Sequence, residues 1–143
     1  MKKLSEQFSE MSQQTAAWER KAAAHHAENR KEFEADIADA RKAVQSAQVS
    51  FDAKLNNIEE SVSAQWRKVQ ESFDKQVAVA RRKANELKAA HNLAEAEDRA
   101  AYYEDYAEVA ADFARLAATE ADAAMLSAAE ARAQAESLAK TTA

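Results

Sequence analysis

The chain has 143 residues, a formal net charge of −5 at pH 7, and no glycine, proline or cysteine, where ordinary usage would supply roughly ten glycines and about seven prolines. Without the positive φ angles of glycine or the fixed bend of proline, tight turns are hard to build and hairpin sheets are nearly excluded. Without cysteine there are no disulfides, thiolate nucleophiles or thiolate metal sites, which fits a reducing compartment. Alanine, glutamate, lysine, arginine and glutamine dominate instead. The expected fold is therefore all-α, a long helical hairpin or coiled coil whose core is a thin seam, because alanine buries little area.

The first segment opens with Leu4, Phe8, Met11, Thr15, Trp18 and Ala22, spaced four, three, four, three, four. That is a heptad seam, and Leu4, Phe8, Met11 and Trp18 are the candidate self-association residues. The seam then meets His25, His26 and Asn29, polar residues where apolar ones are due. Polar residues in a seam commonly fix register or mark a hinge, and this reading is preferred to a pH switch or a seam metal. Residues 1–45 form an N-terminal helical extension that either folds back after a break near Ser46 or pairs with another subunit. Continuity and self-association are favoured, because the pattern that follows runs through Ser46 without interruption.

From Ala40 the apolar residues recur every eleven, as Ala40-Val44-Ala47, Phe51-Leu55-Ile58, Val62-Trp66-Val69 and Phe73-Val77-Ala80. Ser50, Ser61 and Ser72 mark the same register. Eleven residues in three turns keep one stripe facing a partner along a straight or slightly right-handed supercoil. Phe51, Leu55, Ile58, Val62, Trp66, Val69, Phe73 and Val77 are accordingly expected at a helix interface.

Charge divides the chain near Asn92. Met1 to Asn92 carries sixteen Lys and Arg against fourteen Asp and Glu, whereas Leu93 to Ala139 carries three against eleven. Asn92-Leu93-Ala94-Glu95 reads as a capping box, so a turn is expected near 91–92, the alternative being one unbroken helix. Beyond it Tyr106, Val109, Phe113 and Leu116 extend an aromatic seam begun by Tyr102, which passes into an alanine seam from Ala117 to Leu138. A reversal at Asn92 would make residues 46–143 an antiparallel hairpin with residue i beside residue 184 minus i. That register sets Phe73 near Ala110 and Ala111, and Arg81, Arg82 and Lys83 near Asp98, Glu104 and Asp105.

The residues offer little for catalysis. A nucleophile-and-base site needs Ser, Cys, Thr or Lys beside a positioned base, with an oxyanion hole from loop or helix-end amides. None can be assembled from three histidines, no cysteine and no glycine-rich loop, which also excludes phosphate cradles and nucleotide fingerprints. Glu104-Glu108-Asp112 forms a carboxylate ladder on one helix face, yet the Glu-x-x-His elements of dinuclear bundles are missing. No enzyme activity, cofactor or metal is expected. Arg81-Arg82-Lys83 with Lys88 could meet phosphates, but the sequence pI of about 5.3 and the acidic second segment argue against nucleic acid.

The eleven-residue period over about residues 40–83 resembles that of exchangeable apolipoproteins, synucleins and lipid-droplet coat proteins, and the alanine-rich acidic segment is similar to phasins, which coat polyester granules. The resemblance is one of period and composition, and it implies peripheral coating of a lipid or granule surface as the alternative function. Positions 1, 5 and 8 of the repeat span only about 65° of the helix at 3.67 residues per turn, whereas a lipid-facing stripe usually spans roughly 100° or more. The narrower stripe suits one partner helix. The leading expectation is thus a non-catalytic structural or adaptor protein that forms homo-oligomers through its helices, with another protein as a possible partner. It is expected in the cytoplasm, since no stretch reaches the roughly 18 apolar residues of a membrane span and Lys2-Lys3 has no apolar run behind it.

Overall fold

The computed structural model describes residues 2–24, 30–86 and 92–142, and among them the chain is all-helical. Four helices follow in order, α1 (Leu4–Ala24), α2 (Arg30–Asn56), α3 (Glu60–Glu86) and α4 (Leu93–Thr142). The chain divides into two compact units, Met1–Ser72 and Phe73–Ala143, with the division falling inside α3. His25, His26, Asn29 and His91 lie outside the described residues, and with them the expected seam break and part of the expected turn.

In the first unit α1 lies alongside α2. Trp18, Lys21 and Ala22 of α1 and Phe33, Asp36, Ile37 and Ala40 of α2 line one open groove of about 180 Å³. In a single straight helix Trp18 and Ala40 would stand roughly 33 Å apart, too far to share a groove. The favoured expectation of residues 1–45 continuing straight into the eleven-residue repeat is therefore corrected: Trp18 and Ala22, at the end of the heptad seam, meet α2 of the same chain. Lys21 adds a cation–π contact, its Nζ 4.7 Å from the centre of the Trp18 ring.

A second departure is the reversal between α2 and α3. The repeat predicted one helix through residues 46–90, but helix stops at Asn56 and resumes at Glu60. Arg67 reaches back across the gap, donating from Nη2 to Asn56 Oδ1 at 2.5 Å and placing Nη1 3.9 Å from Asp52 Oδ1. On one continuous helix Asp52 and Arg67 would be separated by roughly 22 Å, so the chain turns back here.

Local chemistry explains the stop. Asn56 and Asn57 are poor helix formers because their short amides compete for backbone groups. Asn57 does so directly, donating from Nδ2 to Ala53 O at 3.0 Å while its backbone N–H bonds Lys54 O at 3.1 Å. Glu59 then starts α3. Its carboxylate accepts the Ser61 hydroxyl, the Ser61 N–H at 3.1 Å and the Val62 N–H at 3.3 Å, filling donors that a helix N-terminus leaves orphaned. These bonds, the Ser61 hydroxyl first, hold the Glu59 carboxyl below the usual carboxylate range. The reversal uses no positive φ angle among the described residues.

Few side chains are withdrawn from solvent. Leu55 and Ser63 are buried on either side of the reversal, and Ala80 and Ala84 are buried in the second unit. No large side chain among the described residues is completely enclosed, as the alanine content requires.

In the second unit the rings of Phe73 on α3 and Phe113 on α4 stack with centroids 6.3 Å apart and planes inclined by 17°. Thirteen residues of α3 and twenty of α4 separate these rings from the facing helix ends. Two helices that continued in one direction would keep them tens of ångströms apart, at about 1.5 Å per residue. The helices therefore run past each other in opposite directions. The expected register is off by two residues, since Phe73 meets Phe113 rather than Ala110 and Ala111. Carried along both helices at equal rise, that register would set Ala80 and Ala84, both buried, level with Tyr106 and Tyr102, both half-buried. The ion pairs expected of Arg81, Arg82 and Lys83 with Asp98, Glu104 and Asp105 do not form among the described residues.

Asn92 caps α4 as its sequence context predicts. Its Oδ1 accepts the Glu95 N–H at 2.9 Å and its carbonyl accepts the Ala96 N–H at 3.2 Å.

Candidate interaction surfaces

The residues singled out as interface candidates fall into three classes. Leu55 is buried, and Val77 and Tyr106 are half-buried, as are Leu4, Phe8 and Trp18 of the N-terminal seam. A second class lies at the edge of the packing: Phe51, Ile58, Val62, Trp66, Val69 and Phe73 are each 37–41% exposed. The third stands out in solvent, with Met11 exposed, Phe113 at 45% and Val109 and Leu116 at 68% and 67%.

Helix α3 shows why its large residues end at an edge. Its least exposed positions are Ser63, Arg67 and Gln70 near the start and Val77, Ala80 and Ala84 near the end. Spacings of three, four and seven mark one helix face. At the start that face is rotated about 100° from the Val62-Trp66-Val69-Phe73 stripe, because each position turns by that angle. Arg67 bonds Asn56 and Asp52 from this side of the helix at a site that stays open to solvent, and Trp66, the preceding residue, keeps 37% of its surface exposed. Sequence reasoning missed Arg67, Asn56 and Glu59, which organise the reversal. The doublet Asn56-Asn57 was the available signal.

Tyr102 and Tyr106 are half-buried, and the Tyr102 and Tyr103 rings meet edge to face at 6.2 Å. Arg99 covers the Tyr103 ring, with its guanidinium carbon 5.4 Å from the centroid. The aromatic start of α4 is thus engaged within the chain. Farther along, every described residue from 122 to 142 is exposed.

Among the described residues no group of three or more His, Asp or Glu gathers in a way that could hold a metal ion, and none of the helices is long and apolar enough to cross a membrane. Comparisons with protein-family models, curated proteins and solved structures find no match for the chain.

Proposed function

We propose that this chain is a non-catalytic structural or adaptor protein that works by helix–helix self-association. One observation carries the reading: in the first unit Val62, Trp66 and Val69 form a four-three stripe along α3 and each keeps 37–41% of its surface in solvent. Together they expose on the order of 200 Å² of aligned apolar surface, more than singly scattered apolar residues would present. A helical seam, half covered and narrow, is matched by one further helix rather than by a broad fluid surface. A fully enclosed seam would leave nothing for a partner.

Coating of a lipid or granule surface is the second reading, supported by the many large apolar side chains left in solvent, Val49 and Leu93 among them. Light scattering of the full chain over a wide concentration range tests the first reading. A concentration-dependent rise in mass is expected, and a monomer throughout refutes it. Co-sedimentation with phosphatidylcholine and anionic liposomes separates the two, since self-association leaves the protein in the supernatant.

A further inference from the structure

We infer that the exposed side of α4 from Val109 to Leu138 receives a second copy of this chain, the two α4 helices lying antiparallel about a two-fold axis. The inference rests on the self-association reading and adds a second surface, on α4, to the stripe on α3. Val109, Leu116 and Leu138 are 68%, 67% and 59% exposed. At 100° per residue they fall within one arc of about 40°, and Glu120 is the single charge along that line. Arg115, Asp122, Arg132, Glu136 and Lys140 project elsewhere on the helix, and Asp112 and Glu130 stand at the rim of the stripe.

The stripe is complementary to its own reverse. An antiparallel pair centred between Ala123 and Ala124 sets Leu116 level with Ala131 of the second copy, so that a large side chain meets a small one. Val109 then meets Leu138, closing each end with apolar contact. Glu120 meets Ser127, whose hydroxyl now bonds Ala123 O at 3.0 Å and can rotate to donate to the carboxylate. Alanine at the centre lets the two backbones approach closely, and one polar pair on each side of it specifies register, as single polar residues do in coiled coils. A sliding of one turn would oppose Glu120 to alanine and leave its charge without a donor.

The size is adequate. Val109 to Leu138 spans roughly 44 Å at 1.5 Å per residue, and two helices packed over that length bury on the order of 1,000 Å² in total, the lower limit for a specific interface. Every contact is made twice, as an isologous dimer requires.

The chain has no cysteine, so crosslinking can be read without background. Leu116→Cys and Ala131→Cys proteins, full length and prepared separately, should form a disulfide when mixed and oxidised, and far less when oxidised alone. Self-crosslinking of either variant alone to the same extent would indicate a parallel pair and overturn the arrangement. Leu138→Glu should raise the dimer dissociation constant at least tenfold with helicity by circular dichroism unchanged. If the chain associates but neither result appears, this surface is wrong and the self-association reading stands. A monomer at every concentration would remove both.

Discussion

Leu55→Ala is the most direct test of how the first unit is held together. Leu55 retains 3% of its surface and is the largest of the buried side chains, on the last turn of α2 beside the reversal. Truncating a buried leucine costs about 2–5 kcal/mol, the spread reflecting how far neighbours collapse into the space. Only Ser63 is comparably buried next to the reversal, so collapse is easier here than in a thick core and the lower half of that range applies, about 2–3 kcal/mol. At roughly 2–4 °C per kcal/mol for a chain of this size, melting should fall by about 4–12 °C. Thermal and urea unfolding followed by circular dichroism would measure it, with Leu55→Met expected to lose less than about 1.5 kcal/mol and the exposed Val49→Ala serving as a surface control. A loss for Leu55→Ala no larger than that for Val49→Ala would refute Leu55 as a core residue, and with it the packing that supports the reversal.

Ala84→Leu should overpack the second unit and cost about 1–3 kcal/mol, whereas the same change at the exposed Ala128 should not lower the melting temperature; equal effects would contradict the burial of Ala84. Asn92→Ala should remove the cap of α4 at a cost of about 0.5–2 kcal/mol, largely restored by serine or aspartate, and hydrogen exchange at Glu95 and Ala96 should accelerate. Glu59→Ala tests a titrating cap. Because the folded carboxyl titrates below its ordinary value, its stabilisation is complete above the unfolded value of roughly 4.3 and is lost as pH falls through the lower folded one. The gap in melting temperature between wild type and Glu59→Ala should therefore be constant near neutrality and close on acidification, and a gap independent of pH down to full protonation would exclude the cap.

Composition was enough for the all-helical fold, because a chain without glycine or proline has little else to form. The cap at Asn92 was legible for the same reason that it works: an amide oxygen three residues before Glu95 is a local device, and local devices survive in a one-dimensional reading. The reversal at 57–59 was hidden by a stronger signal. Phe51-Leu55-Ile58 and Val62-Trp66-Val69 keep one period across it, and period reports spacing without reporting whether the intervening backbone stays helical. The contrary signal, Asn56-Asn57, sits inside that period and went unread. Likewise the seam on α3 identified the large apolar residues but not their depth, which depends on how neighbouring helices pack and not on spacing along one. The two-residue error at Phe73 has a similar origin, since pairing large with small residues ignored the energy that two stacked rings recover by meeting.

The reversal between α2 and α3 carries a consequence for how firmly the fold is determined. No proline, glycine or left-handed residue compels the chain to bend at Asn57, Ile58 and Glu59; the bend is maintained by side-chain hydrogen bonds and by what Leu55 covers. Its closed form and a straightened one differ in energy and not in stereochemical permission, and the apolar period is already continuous across the joint. Straightening it would release α3 to find the equivalent of α2 on a neighbouring chain, which is the geometry of exchange between protomers. In a molecule without glycine or proline, asparagine amides and one glutamate perform the punctuation.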